Sequence, residues 1–134
     1  NLEMTLYLAG PMRNFPLLNF PAFREATRKL RAAGYTVVSP VEMDEAEGIM
    51  ENTDPDDLTR DQLSGLLIRD LKAMRDADID GVALLPLSTE SKGVRVEMAF
   101  AAFMGVPVRP VNVWLRAAEA DSDYTDAGMC ERGD

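Results

Sequence analysis

The chain has no histidine and a single cysteine, Cys130. Without histidine there is no Ser-His-Asp or Cys-His nucleophile, and the commonest zinc ligand is missing. One cysteine makes no intrachain disulfide and no thiolate metal site, which fits a reducing compartment. Acid–base work is left to carboxylates, lysine, tyrosine and water. Basic residues are also in deficit, 14 Lys and Arg against 23 Asp and Glu, for a formal net charge of −9. Holding a polyanion takes clustered cations, so no nucleic-acid partner is expected. A small anion is another matter, because a few backbone N–H groups and one arginine can outweigh the global field at short range. The sequence has no basic-then-apolar leader and no apolar run of about 18 residues. A cytoplasmic protein without a membrane partner is the expectation.

What is present is the make-up of a folded domain. Hydrophobic residues at 46% and charged residues at 28% match an average globular protein, and 134 residues suit one domain with one core. "TLYLAG" reads as a short buried strand ending at Gly10, followed by the loop "PMRNFPLLNFPAF". "FREATRKLRAAG" has helical spacing and stops at Gly34, and "YTVVSP" is a second strand. The acidic segment 41–57 is expected to be a long loop or lid. Leu63, Leu66, Leu67, Leu71 and Met74 mark a helix from about Thr59 to Arg75. "IDGVALLP" is a third strand, "GVRVEMAFAAFMG" a helix closed by Gly105, and "VPVRPVNVW" a fourth strand with room for a short fifth. Strands alternating with helices predict an α/β fold: a single-domain, flavodoxin-like or Rossmann-like parallel sheet of about five strands with helices on both faces. The domain is drawn over residues 1–115, with 116–134 an acidic polar tail, part helix and part disordered.

In such a sheet ligands bind beyond the carboxyl ends of the strands, which brings "GPMRN" and "STESKG" to one crevice. Glu97 sits in the oily stretch "SKGVRVEMAF", with Gly93, Val94, Phe100 and Ala101 as its helical neighbours. An unpaired buried charge is expensive, so Glu97 is either an acid eased by the positive helix end or a working carboxylate. Asp70 faces inward in the same way, between Leu66, Leu67, Ala73 and Met74. Two inward carboxylates at one crevice are the pair that glycoside chemistry uses, one as nucleophile and one as acid. Ser91 is placed as a helix N-cap; with the Gly93 N–H it also makes an anion site suited to one phosphate. Arg13, opposite Ser91 in this topology, is a second candidate phosphate contact. Tyr7 in the first strand either packs or hydrogen-bonds a carboxylate. Gly10 and Met12 border the crevice and are weaker candidates for base or sugar contacts. Phe15 divides between core and base stacking, as do Phe20 and Phe23, and Asp78 between a turn role and the site.

Together, "YLAGPMRN", "GYTVVSP", "RDLKAMRDAD" and "SKGVRVEMAFAAFMGVPV" resemble the nucleoside 2-deoxyribosyltransferase superfamily over about residues 5 to 111. That superfamily includes the 2'-deoxynucleoside 5'-phosphate N-hydrolases. The resemblance implies that Glu97 is the nucleophile at the anomeric carbon, that Asp70 assists departure of the base, and that Tyr7 orients Glu97. Ser91, six residues before Glu97, corresponds to the serine that those hydrolases set against the 5'-phosphate, and Arg13 to an arginine of their first loop. In transferases of unphosphorylated nucleosides an aspartate typically stands in the place of Ser91. This chain departs from the hydrolases in lacking extra glycines in "GPMRN", in carrying Arg95 where they keep a glycine, and in the longer "PLSTES" loop. The implied activity is hydrolysis of the N-glycosidic bond of a nucleoside 5'-monophosphate, without metal or organic cofactor, by a homodimer whose neighbouring subunit helps close the site. Base exchange between deoxynucleosides and non-catalytic nucleotide binding are the alternatives.

Overall fold

The computed structural model describes residues 3–132, with side chains as far as residue 121. The Cys130 side chain and residues 133–134 of the polar tail lie outside the described residues. The elements run β1 (Thr5–Ala9), α1 (Phe20–Ala32), β2 (Thr36–Val38), α2 (Pro40–Ala46), α3 (Arg60–Asp76), β3 (Gly81–Leu84), α4 (Lys92–Met104), β4 (Val108–Pro110) and α5 (Val111–Arg132). All pairings are parallel, in the order β2-β1-β3-β4.

Period-two alternation in β1 separates two cores. Leu6 and Leu8 pack with Phe20, Phe23 and Leu30 of α1 and Trp114 of α5. Tyr7 and Ala9 point the other way, onto Met74 of α3 and Val94 and Ala101 of α4. The sheet is thus covered on both faces, which requires the near-continuous apolar character of "LYLA" and "VALL".

Local signals set the helices that carry inward carboxylates. Thr59 and Gln62 form a capping box at the start of α3: the Thr59 Oγ1 accepts from the Gln62 N–H at 3.1 Å, and the Gln62 Oε1 accepts from the Thr59 N–H at 2.7 Å. At the start of α4 the Ser91 Oγ accepts from the Val94 N–H at 3.3 Å. Gly105, at φ 75°, ends α4 in the left-handed conformation that glycine adopts without a Cβ penalty.

Two expectations need correction. The sheet has four strands: "VNVW" begins α5 instead of a fifth strand, because Val111 and Trp114 are buried at helical spacing and the Trp114 Nε1–H donates to the Val82 carbonyl at 2.9 Å. The same helix crosses the boundary drawn at residue 115 without a break. The segment expected to be a loop or lid opens with α2, which has Pro40 in its first turn and buries Val41 and Asp44, three residues apart. Residues 47–59 connect it to α3 through a 3-10 turn at Pro55–Asp57. Among the described residues no helix is long and apolar enough to cross a membrane.

Candidate active site

The chain runs from β1 to β2 on one side of the sheet and from β3 to β4 on the other, so the connections leaving β1 and β3 part at their carboxyl ends. A crevice of about 210 Å³ opens there. The loop after β1 contributes Gly10, Met12 and Arg13; α2 contributes Pro40 and Asp44; α3 contributes Leu63, Leu66, Leu67, Arg69 and Asp70; the start of α4 contributes Ser91, Gly93, Val94 and Glu97. A larger hollow of about 350 Å³ between α1 and α5, beside Trp114, has no pair of buried carboxylates.

At the base of the crevice Tyr7 and Glu97 meet. Tyr7 is fully buried, Glu97 is 5% exposed, and the Tyr7 hydroxyl donates to the Glu97 Oε2 at 2.6 Å. The register of β1 makes this possible by turning every second residue towards α4. Burial pushes the Glu97 carboxyl up to about 8; the Tyr7 hydrogen bond opposes that rise and the Asp70 charge adds to it. Asp70 is raised too, mainly by burial, with Arg69 pulling it back. The two carboxyl groups are close enough to act on each other, Asp70 raising Glu97 and Glu97 lowering Asp70. Burial, then the Glu97 and Asp70 charges, hold the Tyr7 phenol well above its ordinary value. It stays a donor.

Arg69 organises the other side. Its guanidinium donates to the Asp70 Oδ1 through Nη2 at 2.7 Å and Nε at 3.2 Å, to the Asp44 Oδ1 through Nη2 at 2.7 Å, and to the Glu47 Oε2 through Nη1 at 2.6 Å. One cation thereby ties α2 to α3 beside the carboxyl pair. Asp44 is 4% exposed, and burial lifts its carboxyl to about 6 against the pull of Arg69. The sequence reading did not single out Arg69, Asp44 or Glu47. A signal for Asp44 existed: after Pro40, the Val41 and Asp44 pair has helical spacing.

The opposite end of the crevice is the start of α4. Ser91 is a satisfied N-cap, and a Cβ on Gly93 would meet only the Ser91 Oγ, at 3.9 Å. Neither packing nor a positive φ demands glycine there, so the space beside it is open to a ligand. Gly10 differs, since a Cβ would lie 2.6 Å from the Leu85 side chain where the loops after β1 and β3 touch. Arg13 lines the crevice but pairs across its mouth with Asp56 at 3.0 Å, both side chains exposed. Arg95 does not line the crevice; its Nε–H donates to the Thr89 carbonyl at 2.8 Å.

Glu97, Asp70, Ser91, Gly93, Arg13, Gly10 and Met12 therefore share one cavity wall, with Tyr7 directly behind. Phe15 and Asp78 do not join them. Phe15 is half-buried ahead of the 3-10 turn at Pro16–Asn19, whereas Phe20 and Phe23 are core. Asp78, at φ 50°, turns the chain between α3 and the amino end of β3, the far end of the sheet from the crevice. Among the described residues no group of three carboxylate or cysteine side chains is arranged to hold a metal ion.

Residues 4–109 match the family described as a domain of unknown function (DUF4406), and the chain belongs to that family. Among curated proteins, none matches it.

Proposed function

We propose that this DUF4406 chain is an N-glycosidase that cleaves a nucleoside 5'-monophosphate to free base and sugar 5-phosphate. The observation that carries the reading is the buried Tyr7–Glu97–Asp70 contact, set in a crevice whose other end is a serine-capped helix start. The carboxyl pair supplies one proton and one negative charge. The resting proton sits on Glu97, and its passage to Asp70 when the nucleotide binds leaves Glu97 as the carboxylate, its Oε2 steadied by Tyr7.

In the first step a Glu97 oxygen bonds to C1' as the C1'–N bond breaks, and the Asp70 proton goes to the departing base. The Asp70 carboxylate then takes a proton from water, whose oxygen bonds to C1' and displaces the Glu97 ester. The pair is left with its original single proton. Two displacements at one carbon retain configuration, through oxocarbenium-like transition states. Burial raises the energy of the Glu97 carboxylate before attack, and the attack relieves that cost. The phosphate lies against the Ser91 hydroxyl and the Gly93 N–H at the positive end of α4. Arg13 reaches it by exchanging Asp56 for a phosphate oxygen. Such remote binding energy positions the sugar for attack. A serine in place of the transferases' aspartate favours the phosphorylated substrate. A homodimer belongs to the same reading, and Phe103, 88% exposed on α4, is available to a second copy.

The test is chromatography for free base after incubation of wild type and Glu97→Ala with ribo- and deoxyribonucleoside 5'-monophosphates and the matching nucleosides. Release from a monophosphate by wild type alone is expected. No release from any substrate, with or without acceptor bases, overturns the reading. Release only when an acceptor base is present replaces it with base exchange.

A further inference from the structure

Arg69 carries one positive charge and meets three carboxylates, Asp44, Glu47 and Asp70. Glu47 is half exposed and has water for company. Asp70 alone balances the guanidinium inside the protein, so Asp44 is a second buried anion on a cation already matched. A buried carboxylate is tolerated when its lone pairs are satisfied. Only one Asp44 oxygen is: Oδ1 accepts from Arg69, and Oδ2 has no hydrogen-bond partner among the described residues. No side-chain oxygen among the described residues is both unpartnered and sealed from the surface. Oδ2 therefore keeps some exposed surface, and the crevice is the hollow that Asp44 lines.

We infer that Asp44 is a substrate-binding carboxylate, whose free oxygen accepts a hydrogen bond from a donor on the nucleotide. The inference rests on the nucleotide reading above and adds a contact to it. The donor is a sugar hydroxyl, an exocyclic amine or a ring N–H of the base, the three kinds of neutral donor that a nucleotide offers away from its phosphate. Charge orients the ligand. The phosphate is repelled by Asp44, Asp70 and Glu97 and is held at Ser91 and Gly93, which turns the donor-bearing part of the molecule towards α2 and α3.

Asp44→Asn separates binding from architecture. Arg69 demands an acceptor, so the amide oxygen of the variant faces Arg69 and its NH2 group faces the crevice. Shape and the interhelix contact are kept while an acceptor becomes a donor. Calorimetric titration is run on Glu97→Gln protein, in which the nucleotide stays intact, with and without Asp44→Asn. Thermal melts check that both fold, and Asp44→Ser, smaller and still an acceptor, serves if the asparagine variant does not. The ligands are the four deoxynucleoside 5'-monophosphates, their 3'-deoxy counterparts, the matching ribonucleotides, and inosine and uridine monophosphates as partners lacking the amine of adenosine and cytidine monophosphates.

Asp44→Asn is expected to weaken binding roughly 10- to 100-fold for nucleotides carrying the donor, the range for a hydrogen bond to a charged group. For the analogue without it the loss is at most about 2-fold. The analogue that abolishes the difference identifies the donor. Equal losses for every nucleotide, or no loss, overturn the inference and leave the nucleotide reading intact. If the Glu97→Gln protein binds no nucleotide, both fall together.

Discussion

Replacing Glu97 by Gln should make the protein more stable at alkaline pH, by an amount that grows as pH rises. Burial lifts this carboxyl from 4.5 to about 8. The folded state thus binds the Glu97 proton more tightly than the unfolded chain does. Its stability is full below about pH 4.5 and declines as pH climbs through about 8. At about 1.4 kcal/mol per pH unit, the ionised carboxylate costs the fold on the order of 4 to 5 kcal/mol at the alkaline end. Glutamine has the same shape and fits both neighbours, its amide oxygen accepting from Tyr7 and its NH2 donating to Asp70. Burying that amide returns part of the gain, about 1 to 3 kcal/mol. The net is a gain of about 2 to 3 kcal/mol at pH 9 and a loss of about 1 to 2 kcal/mol at pH 5, which for a chain of this length raises Tm by roughly 10 °C at pH 9 only. Melts of wild type and Glu97→Gln followed by circular dichroism at the two pH values supply the comparison. A gain equal at both, or a variant that loses stability as pH rises, would refute the reasoning. The gain is independent of substrate, so it tests the buried charge apart from any chemistry.

Tyr7→Phe deletes the one donor that lowers Glu97. The acid limb of the kcat/KM profile for the proposed reaction should move up by about 1 to 2 pH units, and an unmoved limb would count against Tyr7 as the group that supports the carboxylate. Arg69→Met strands Asp44 and Asp70, at a cost of about 3 to 5 kcal/mol in denaturant at pH 8. The loss should shrink at pH 5, where both carboxyls can be protonated; an equal loss at both pH values would show that Arg69 matters only for packing. Gly81→Ala sets a Cβ 2.5 Å from the Trp114 ring, which the bond to the Val82 carbonyl holds in place, so urea titration should show about 1 to 3 kcal/mol of destabilisation. Gly93→Ala should change stability by less than about 1 kcal/mol, with helix propensity in its favour, while weakening monophosphate binding about tenfold. Unchanged binding would remove the start of α4 from the phosphate site.

The parts of this fold that were legible in the sequence are those where local chemistry and burial agree. Helices α3 and α4 announce themselves through Thr59, Gln62, Ser91 and Gly105, and helical spacing turns Asp70 and Glu97 inward. Helix α2 hid because it is short and acidic, and its buried positions, Pro40, Val41 and Asp44, include a proline and a charge. The start of α5 hid because "VNVW" alternates like a strand, while the Trp114 contact with Val82 that fixes it as a helix spans 32 residues. Arg69 was invisible for a geometric reason. Neighbouring residues on a helix point about 100° apart, so its contact with Asp70 depends on a long side chain curling back towards Asp44 and Glu47 of another element. Asp78 and Phe15 depend on which end of the sheet a turn occupies and on how a loop runs, and spacing does not encode either.

The alternation in β1 has a consequence for engineering. Leu6 and Leu8 belong wholly to the core with α1 and α5, while Tyr7, one residue from each, holds the carboxylate. The sheet is a partition: one layer holds Tyr7 against Glu97, and the other packs β1 against α1 and α5. Substitutions confined to Leu8, Phe23 and Leu30 lie across the sheet from Glu97. A library drawn from that layer can therefore be selected for thermal stability alone, and its winners transplanted into any variant of the crevice with their gains nearly additive. The cost that the buried carboxylates impose on one side of β1 can be offset from the other.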